Sequence, residues 1–203
     1  VMDEYDKLLT NKTRIVAVNH VSNALGTINP VNEITRKAHA VGAKVLIDGA
    51  QSTPHMKVDV QDINCDFYTF SGHKMYAPSG IGGMFGKMEV METMPPYVTG
   101  GDMIMQVTLE KTTYAKPPAR FEAGTPPISQ VIGLGAAIDY LNAIGMDKIF
   151  EYEKSLLDYG TRLLNDIDGL RIIGNAEEKA AILSIYLEAA HPHDIITMLD
   201  QDG

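Results

Sequence analysis

The segment FSGHKMYAPSG, residues 70–80, sets a hydroxyl, an imidazole and an ammonium close together: Ser71, His73 and Lys74 sit at the end of an apolar run. Upstream, IDGAQ closes another apolar run with Asp48 and places Gln51 three residues on. In VSNALGT, Asn23 stands just past a third such run. A lysine after one strand end and a carboxylate at another suit pyridoxal 5′-phosphate. That cofactor needs an amine to form a Schiff base with its aldehyde, and an acidic partner at its pyridinium nitrogen to keep the ring an electron sink. Its phosphate needs hydroxyl, imidazole and backbone N–H groups. Taken singly, each residue has a plainer reading. A strand-end Asp is ordinarily a turn or cap residue. A loop lysine is ordinarily solvated, Ser71-Gly72 makes an ordinary turn, and His73 and Gln51 make ordinary hydrogen-bonded or surface residues. The joint pattern is what points to chemistry.

The elements that must position these groups follow from periodicity. Residues 14–21 (RIVAVNHV) read as a strand rich in β-branched residues. The loop SNALGTINP follows, with Asn29 as a helix N-cap and Pro30 at the first helical position. Ile34, Ala38 and Val41 share one helical face, and Gly42 is the stop. AKVLI, residues 43–47, is a second strand, apolar on both faces as in a parallel sheet covered on both sides. CDFYTF and GIGGMFGK supply a third and a fourth strand. Strand, helix, strand at this spacing is a βαβ unit. A sheet of this kind binds ligands beyond the carboxyl ends of its strands, where Asp48, Ser71 and the loop with His73 and Lys74 fall.

The character changes after KPPARFEAGTPPIS, whose proline pairs make it stiff and extended. Helices are predicted around residues 132–141 and over 147–166, strands over 170–173 and 181–187, and a further helix over 193–201. The fold class is therefore α/β, with a mostly parallel sheet flanked by helices, followed by the start of a small α+β domain. The boundaries are 1–128 for a partial cofactor-binding large domain and 129–203 for connecting helices and a partial small C-terminal domain. The chain opens as if in the middle of an α/β domain and stops straight after a helix, so the expectation is a central piece of a longer protein.

Bulk properties exclude several classes. At 203 residues and 45% hydrophobic, the chain holds one substantial core and part of a second. A formal net charge of −9 without a basic face argues against nucleic acid as a partner. Cys65 is the single cysteine, so no intrachain disulfide forms, which fits a reducing compartment. The acidic start VMDEYDKLL is not a signal peptide, and the longest apolar run, residues 131–138, is too short to span a bilayer. The expectation is a soluble, cytoplasmic protein with no membrane partner. HPHD, with His191, His193 and Asp194, reads as a capped helix start and no metal site is expected. Met84, Met88, Met91 and Met94 read as gap-filling residues on a short helix.

IDGAQ followed about two dozen residues later by DFYTFSGHKMYAPSGIGG resembles the class V aminotransferase group of fold-type I pyridoxal-phosphate enzymes. Within it the chain is most similar to the group II cysteine desulfurases, the SufS-like and selenocysteine-lyase-like enzymes. NHVSNALGT, AHAVGAKVLIDGAQSTPHMKVDVQ, MPPYVTGGDMI, RFEAGTPP and GLGAAIDYLNAIGMDKIFEYE carry the resemblance, which weakens after Leu170. It implies that Lys74 forms the Schiff base and later moves the substrate's proton. It implies that Asp48 pairs with the ring nitrogen, Gln51 bonds the phenolic oxygen and Ala50 packs on the ring face. Ser71 and His73 would hold the phosphate, with Gly72 between them allowing close backbone approach. Asn23 would sit beside the ring and the substrate carboxylate. Thr125, with Gly124, would reach the phosphate of the neighbouring subunit, which implies a homodimer. The implied reaction takes sulfur from L-cysteine, or selenium from L-selenocysteine, leaving alanine and an enzyme persulfide. The implied acceptor is a protein of Fe–S assembly.

The pattern has departures. The family's sulfur-accepting cysteine, in an R-x-G-x-x-C segment, and its carboxylate-binding arginine fall beyond this chain, as does the first phosphate-binding turn. Cys65, flanked by Asn64 and Asp66 at the start of a strand, reads as a structural thiol. Ala77 stands where the family often has glycine, so the loop must accept negative φ there. Two alternatives stay open: an inactive piece acting at most as a cofactor-binding or dimerising module, and another class V lyase or aminotransferase.

Overall fold

A computed structural model describes residues 2–202. Its centre is a four-stranded sheet in the order β1 (Ile15–Asn19), β2 (Lys44–Asp48), β3 (Phe67–Ser71), β4 (Gly82–Gly86). The first three strands run parallel and β4 pairs antiparallel with β3. Crossovers are α2 (Val31–Ala40), after an N-terminal α1 (Met2–Leu8), and the short α3 (Val60–Ile63). Val31, Ala38, Val45, Ile47, Ile63, Cys65 and Tyr68 form the core between these helices and one face of the sheet. The Gly42 stop holds, at φ +81°, where glycine costs no steric strain.

Two sequence expectations for this region fail. Asn29 is not the N-cap of α2. Pro30 occupies that place without a side-chain cap, and the Asn29 amide instead donates to Asn19 O (2.8 Å) and Asn19 Oδ1 (3.0 Å). The side chain thus ties the loop to the end of β1, an alternative always open to Asn near a turn. Strand β2 is not covered on both faces. Val45 and Ile47 are fully buried, but Leu46 is half-buried and Asp48 exposed. Helices α2 and α3 pack on the Val45–Ile47 side, so the opposite side, which carries Asp48, is the open one.

The methionines divide. Met84 lies on β4 and is exposed, whereas Met88 and Met91 lie on α4 (Met88–Met91), where only Met91 is buried. Met91 fills the space above Gly86, where an added Cβ would come within 2.7 Å of its sulfur. A hairpin of β5 (Ile104–Val107) and β6 (Thr112–Tyr114) follows. Then come α5 (Ile128–Ile144), α6 (Met146–Asn165), the pair β7 (Leu170–Ile173) and β8 (Ser184–Leu187), and α7 (Pro192–Asp202). Strand β8 is shorter than its sequence signal. Two contacts bring this later part to the sheet. Gly133 of α5 abuts Pro78, leaving no room for a Cβ (2.6 Å to Pro78 Cγ). The loop after β1 pairs with the segment before β8, through Ile28 N–H to Glu178 O (3.0 Å) and Ala180 N–H to Gly26 O (2.8 Å). Among the described residues no helix is long and apolar enough to cross a membrane.

Candidate active site

Register assembles the site. Asn19 pairs with Asp48, and Asp48 with Thr69, across the parallel strands, so the three side chains share a face. Ser71, two residues beyond Thr69, lies on that same face, one step further toward the carboxyl ends. The strand pairing runs on past the side chains: His20 N–H donates to Asp48 O (2.8 Å) and Gly49 N–H to Thr69 O (2.8 Å). The chain then turns sharply, and the Ala50 N–H donates to Asp48 Oδ1 (2.9 Å). Asp48 is thus a turn residue with one oxygen. The other makes no hydrogen bond to protein among the described residues, which leaves a carboxylate oxygen free for a ligand's N–H. Gln51 follows, half-buried, on the same turn.

Beyond β3 a tight turn, residues 72–75, carries His73 and Lys74, and is closed by Ala77 N–H to Gly72 O (3.0 Å). Ser71 Oγ and His73 Nδ1 lie 2.9 Å apart, so hydroxyl and imidazole face one point. Lys74 is half-buried, and among the described residues its ammonium has no hydrogen-bond or ion-pair partner. Buried Met75 anchors the turn beneath it. An added Cβ on Gly72 would come within 2.8 Å of both Ile81 Cγ2 and Ile81 O, so the neighbouring segment by itself requires glycine here. Ala77 is accommodated because the positive φ of the loop falls on Tyr76, at 64°.

Asn23 is exposed at the tip of the loop after β1, where Leu25 N–H donates to Ser22 Oγ (3.1 Å) and closes a turn around it. Gly124 has φ +81° and donates to Gly101 O (3.0 Å), with Thr125 exposed beside it on a groove lined by Ile81, Phe121, Ile128 and Val131. No hydrogen bond joins Gly124 or Thr125 to Ser71 or His73 among the described residues. The structure thus gathers Asp48, Ala50, Gln51, Ser71, His73 and Lys74 at one end of the sheet. Asn23 sits on an adjoining loop, and Gly124 and Thr125 stand apart.

Cys65 is wholly buried in the core, and burial pushes its thiol up, with Asp66 adding to the rise and Lys87 partly offsetting it. HPHD forms the first turn of α7: Asp194 N–H and Ile195 N–H donate to His191 O (2.9 and 3.1 Å). The residues that sequence reasoning missed are His20, Ser52 and Tyr68, buried and hydrogen-bonded beneath the Asp48 turn. Nothing in the spacing of positions 20, 52 and 68 links them. The one available signal was Gly49, whose lack of a side chain makes room for the Tyr68 ring.

The sequence model of the class-V aminotransferase family matches residues 1–203, the whole chain. The chain belongs to the class-V aminotransferase family. Its similarity to a cysteine desulfurase of Synechococcus elongatus is 52% identity over 202 residues, 100% of this chain and 32% of that protein. Among solved structures it superposes on the Escherichia coli cysteine desulfurase CsdA with a TM-score of 0.93 and 34% identity, covering 98% of this chain and 49% of that one. It also superposes on the cystine C–S lyase C-DES, solved in complex with its reaction product cysteine persulfide, with a TM-score of 0.86 and 25% identity over 97% of this chain and 54% of that one. The chain thus spans about a third to a half of the length of these class-V relatives. The α/β fold with a mostly parallel sheet is the one these structures share.

Proposed function

We propose that this chain carries the pyridoxal-phosphate site of a cysteine desulfurase, which takes sulfur from L-cysteine to give L-alanine and an enzyme persulfide for Fe–S cluster assembly. L-selenocysteine fits the same chemistry. The observation that carries this reading is the convergence of a half-free Asp48 carboxylate, the Ser71–His73 pair and an unpaired Lys74 ammonium at the carboxyl end of one sheet. This donor set fits the cofactor, because it offers an anion for a ring nitrogen, an amine for an aldehyde, and a hydroxyl with an imidazole for a phosphate; among the described residues one Asp48 oxygen and the Lys74 ammonium have no partner, and the Ser71 and His73 side chains bond only each other. When bound, the cofactor supplies an electron sink that loosens bonds at the substrate's α-carbon.

The chain's own groups do the rest. Lys74 Nζ is the covalent anchor and moves the proton at the substrate Cα. The Asp48 carboxylate holds the proton on the ring nitrogen, Gln51 bonds the phenolic oxygen and Ala50 covers a ring face. Ser71 Oγ and His73 bind the phosphate. Asn23 orients the ring edge and the substrate carboxylate. Gly124 and Thr125, which stand apart from these groups within one chain, serve the phosphate of a second copy in a homodimer. Residues 1–128 form the cofactor-binding part and 129–203 the beginning of the small domain. Cys65 is too deeply buried to attack a substrate, so the thiol that accepts sulfur, and the acceptor protein that relieves it, lie outside these residues. A lone, buried thiol fits a cytoplasmic setting.

The likeness to the cystine C–S lyase C-DES supports a second reading, a C–S lyase. Product analysis separates the two. A desulfurase releases alanine from L-cysteine, whereas β-elimination releases pyruvate. The first test is uptake of pyridoxal phosphate by the chain, read as a visible absorbance band. The band is expected in the wild type and lost in Lys74→Ala. A folded wild-type chain that gives no band leaves only the reading of a non-catalytic, dimerising module.

A further inference from the structure

One buried side chain beneath the Asp48–Gln51 turn has no part in the roles above. Tyr68 sits on β3 with its ring on the side opposite Asp48, at 2% exposure. The ring passes directly under the turn: a Cβ on Gly49 would come within 2.0 Å of Tyr68 Cε1. The Tyr68 hydroxyl lies 2.9 Å from His20 Nδ1 and 2.5 Å from Ser52 Oγ. The Ser52 hydroxyl also lies 3.1 Å from Gly49 O, which accepts the Ser52 and Thr53 N–H groups as well (3.0 Å each). Imidazole, phenol and serine thus form one hydrogen-bonded chain that ends at the Gly49 carbonyl. Its other end is tied as well, because the His20 backbone N–H donates to Asp48 O. The consecutive carbonyls of Asp48 and Gly49 are thus both tied to this buried network. Burial keeps the imidazole and the phenol neutral, pushing His20 down to about 4 and Tyr68 up to about 12.

We propose that Tyr68 is a positioning residue, whose hydroxyl, held between His20 and Ser52, locks the turn that presents Asp48 and Gln51 to the cofactor ring. This rests on the cofactor reading above. Asp48 is exposed and its own side chain makes a single protein hydrogen bond, so its aim depends on the backbone beneath it. A buried hydrogen-bonded network is the kind of support that can fix that aim.

The test is titration of the purified chain with pyridoxal phosphate, by equilibrium dialysis and visible absorbance, for the wild type, Tyr68→Phe, Asp48→Asn and the double variant. Tyr68→Phe keeps the ring and removes only the hydroxyl. It is expected to weaken cofactor binding roughly tenfold, and to move the pH midpoint of the bound cofactor's visible band by about half a unit or more. Affinity for inorganic phosphate, which Ser71 and His73 bind without the Asp48–Gln51 turn, is expected to be unchanged. In the Asp48→Asn background the effect of Tyr68→Phe should shrink to about twofold or less, because the two residues act on one contact. If circular dichroism shows Tyr68→Phe unfolded, Ser52→Ala, which leaves the ring in place, carries the same comparison. Equal affinity and midpoint in wild type and variant would overturn the proposal, as would a tenfold loss that persists in full without the Asp48 carboxylate. No uptake by the wild type would overturn the cofactor reading itself, and this proposal with it.

Discussion

The two ends of the central sheet each carry an aspartate, and the two are treated oppositely. At the amino ends of the strands, Asp66 is buried to 1% exposure and its carboxylate is saturated, by His39 Nε2 (2.8 Å), Lys44 Nζ (3.0 Å) and the Val45 N–H (2.8 Å). At the carboxyl ends, Asp48 is exposed and accepts a single backbone N–H. Asp66 joins the end of α2 to the starts of β2 and β3. Asp48 is bonded just enough to be aimed. The difference teaches how to read a polar residue at a strand end: a carboxylate whose lone pairs are filled by the protein is holding the fold, and one left half-empty is available for a ligand.

Substitutions should separate the two ends. The largest stability effect belongs to Asp66. Asp66→Ala strands a buried N–H and removes the partner of two basic side chains, and should lower unfolding free energy by about 2–4 kcal/mol, measured by urea denaturation. Asp48→Ala should cost about 1 kcal/mol or less in the same experiment, yet weaken pyridoxal-phosphate binding by at least about tenfold. A destabilisation by Asp48→Ala equal to that of Asp66→Ala would erase the contrast. Arg120 tests the support of the Gly124–Thr125 segment. Its guanidinium donates to the carbonyls of Ala115 (3.0 Å), Glu92 (3.1 Å) and Met94 (3.0 Å). Lysine cannot span these acceptors, so Arg120→Lys should cost roughly 1–2 kcal/mol by thermal or urea melts.

The two ends should also titrate apart. Burial would raise Asp66, but the hydrogen bonds from His39, the Val45 N–H and Lys44 outweigh it and hold its carboxyl below the usual range. Its contribution is therefore complete above the unfolded value of about 4 and is lost as pH falls through the lower folded one. His20, at the other end, is pushed by burial from 6.5 down to about 4. The unfolded chain binds that proton first, so stability should fall as pH drops from about 6.5 to 4. Urea midpoints from pH 8 to 3 should show a first decline that His20→Gln removes and a later one that Asp66→Asn reduces. The smallest effect expected is that of Cys65→Ala, which should leave cofactor uptake unchanged and cost about 1 kcal/mol. Native Cys65 should react slowly with an alkylating reagent.

Much of this architecture was legible in the sequence. Strand ends at Asp48 and Ser71, the glycine stop of α2 and the helices after residue 128 follow from periodicity and turn chemistry, which are local. The Lys74 loop was legible because its residue types are costly to assemble by accident. What was not legible is long-range. Asn29 reads locally as a cap, but the end of β1 offers its amide two acceptors. Leu46 reads as core, but the helices pack on the Val45 and Ile47 side only. The glycine at position 72 is explained by Ile81, which crosses it, and the glycine at position 49 by Tyr68, which lies beneath it. The His20–Tyr68–Ser52 network joins three separate segments, so no window of sequence contains it.

The central claim, that the half-empty end of the sheet is a pyridoxal-phosphate site anchored on Lys74, is tested most directly by trapping. The chain is incubated with pyridoxal phosphate, reduced with borohydride, digested, and the modified lysine identified by mass spectrometry. The account predicts one dominant adduct, on Lys74, that is absent from Lys74→Ala and diminished in Asp48→Ala. A label spread over exposed lysines such as Lys7 and Lys57, or a folded chain with no label at Lys74, would contradict it.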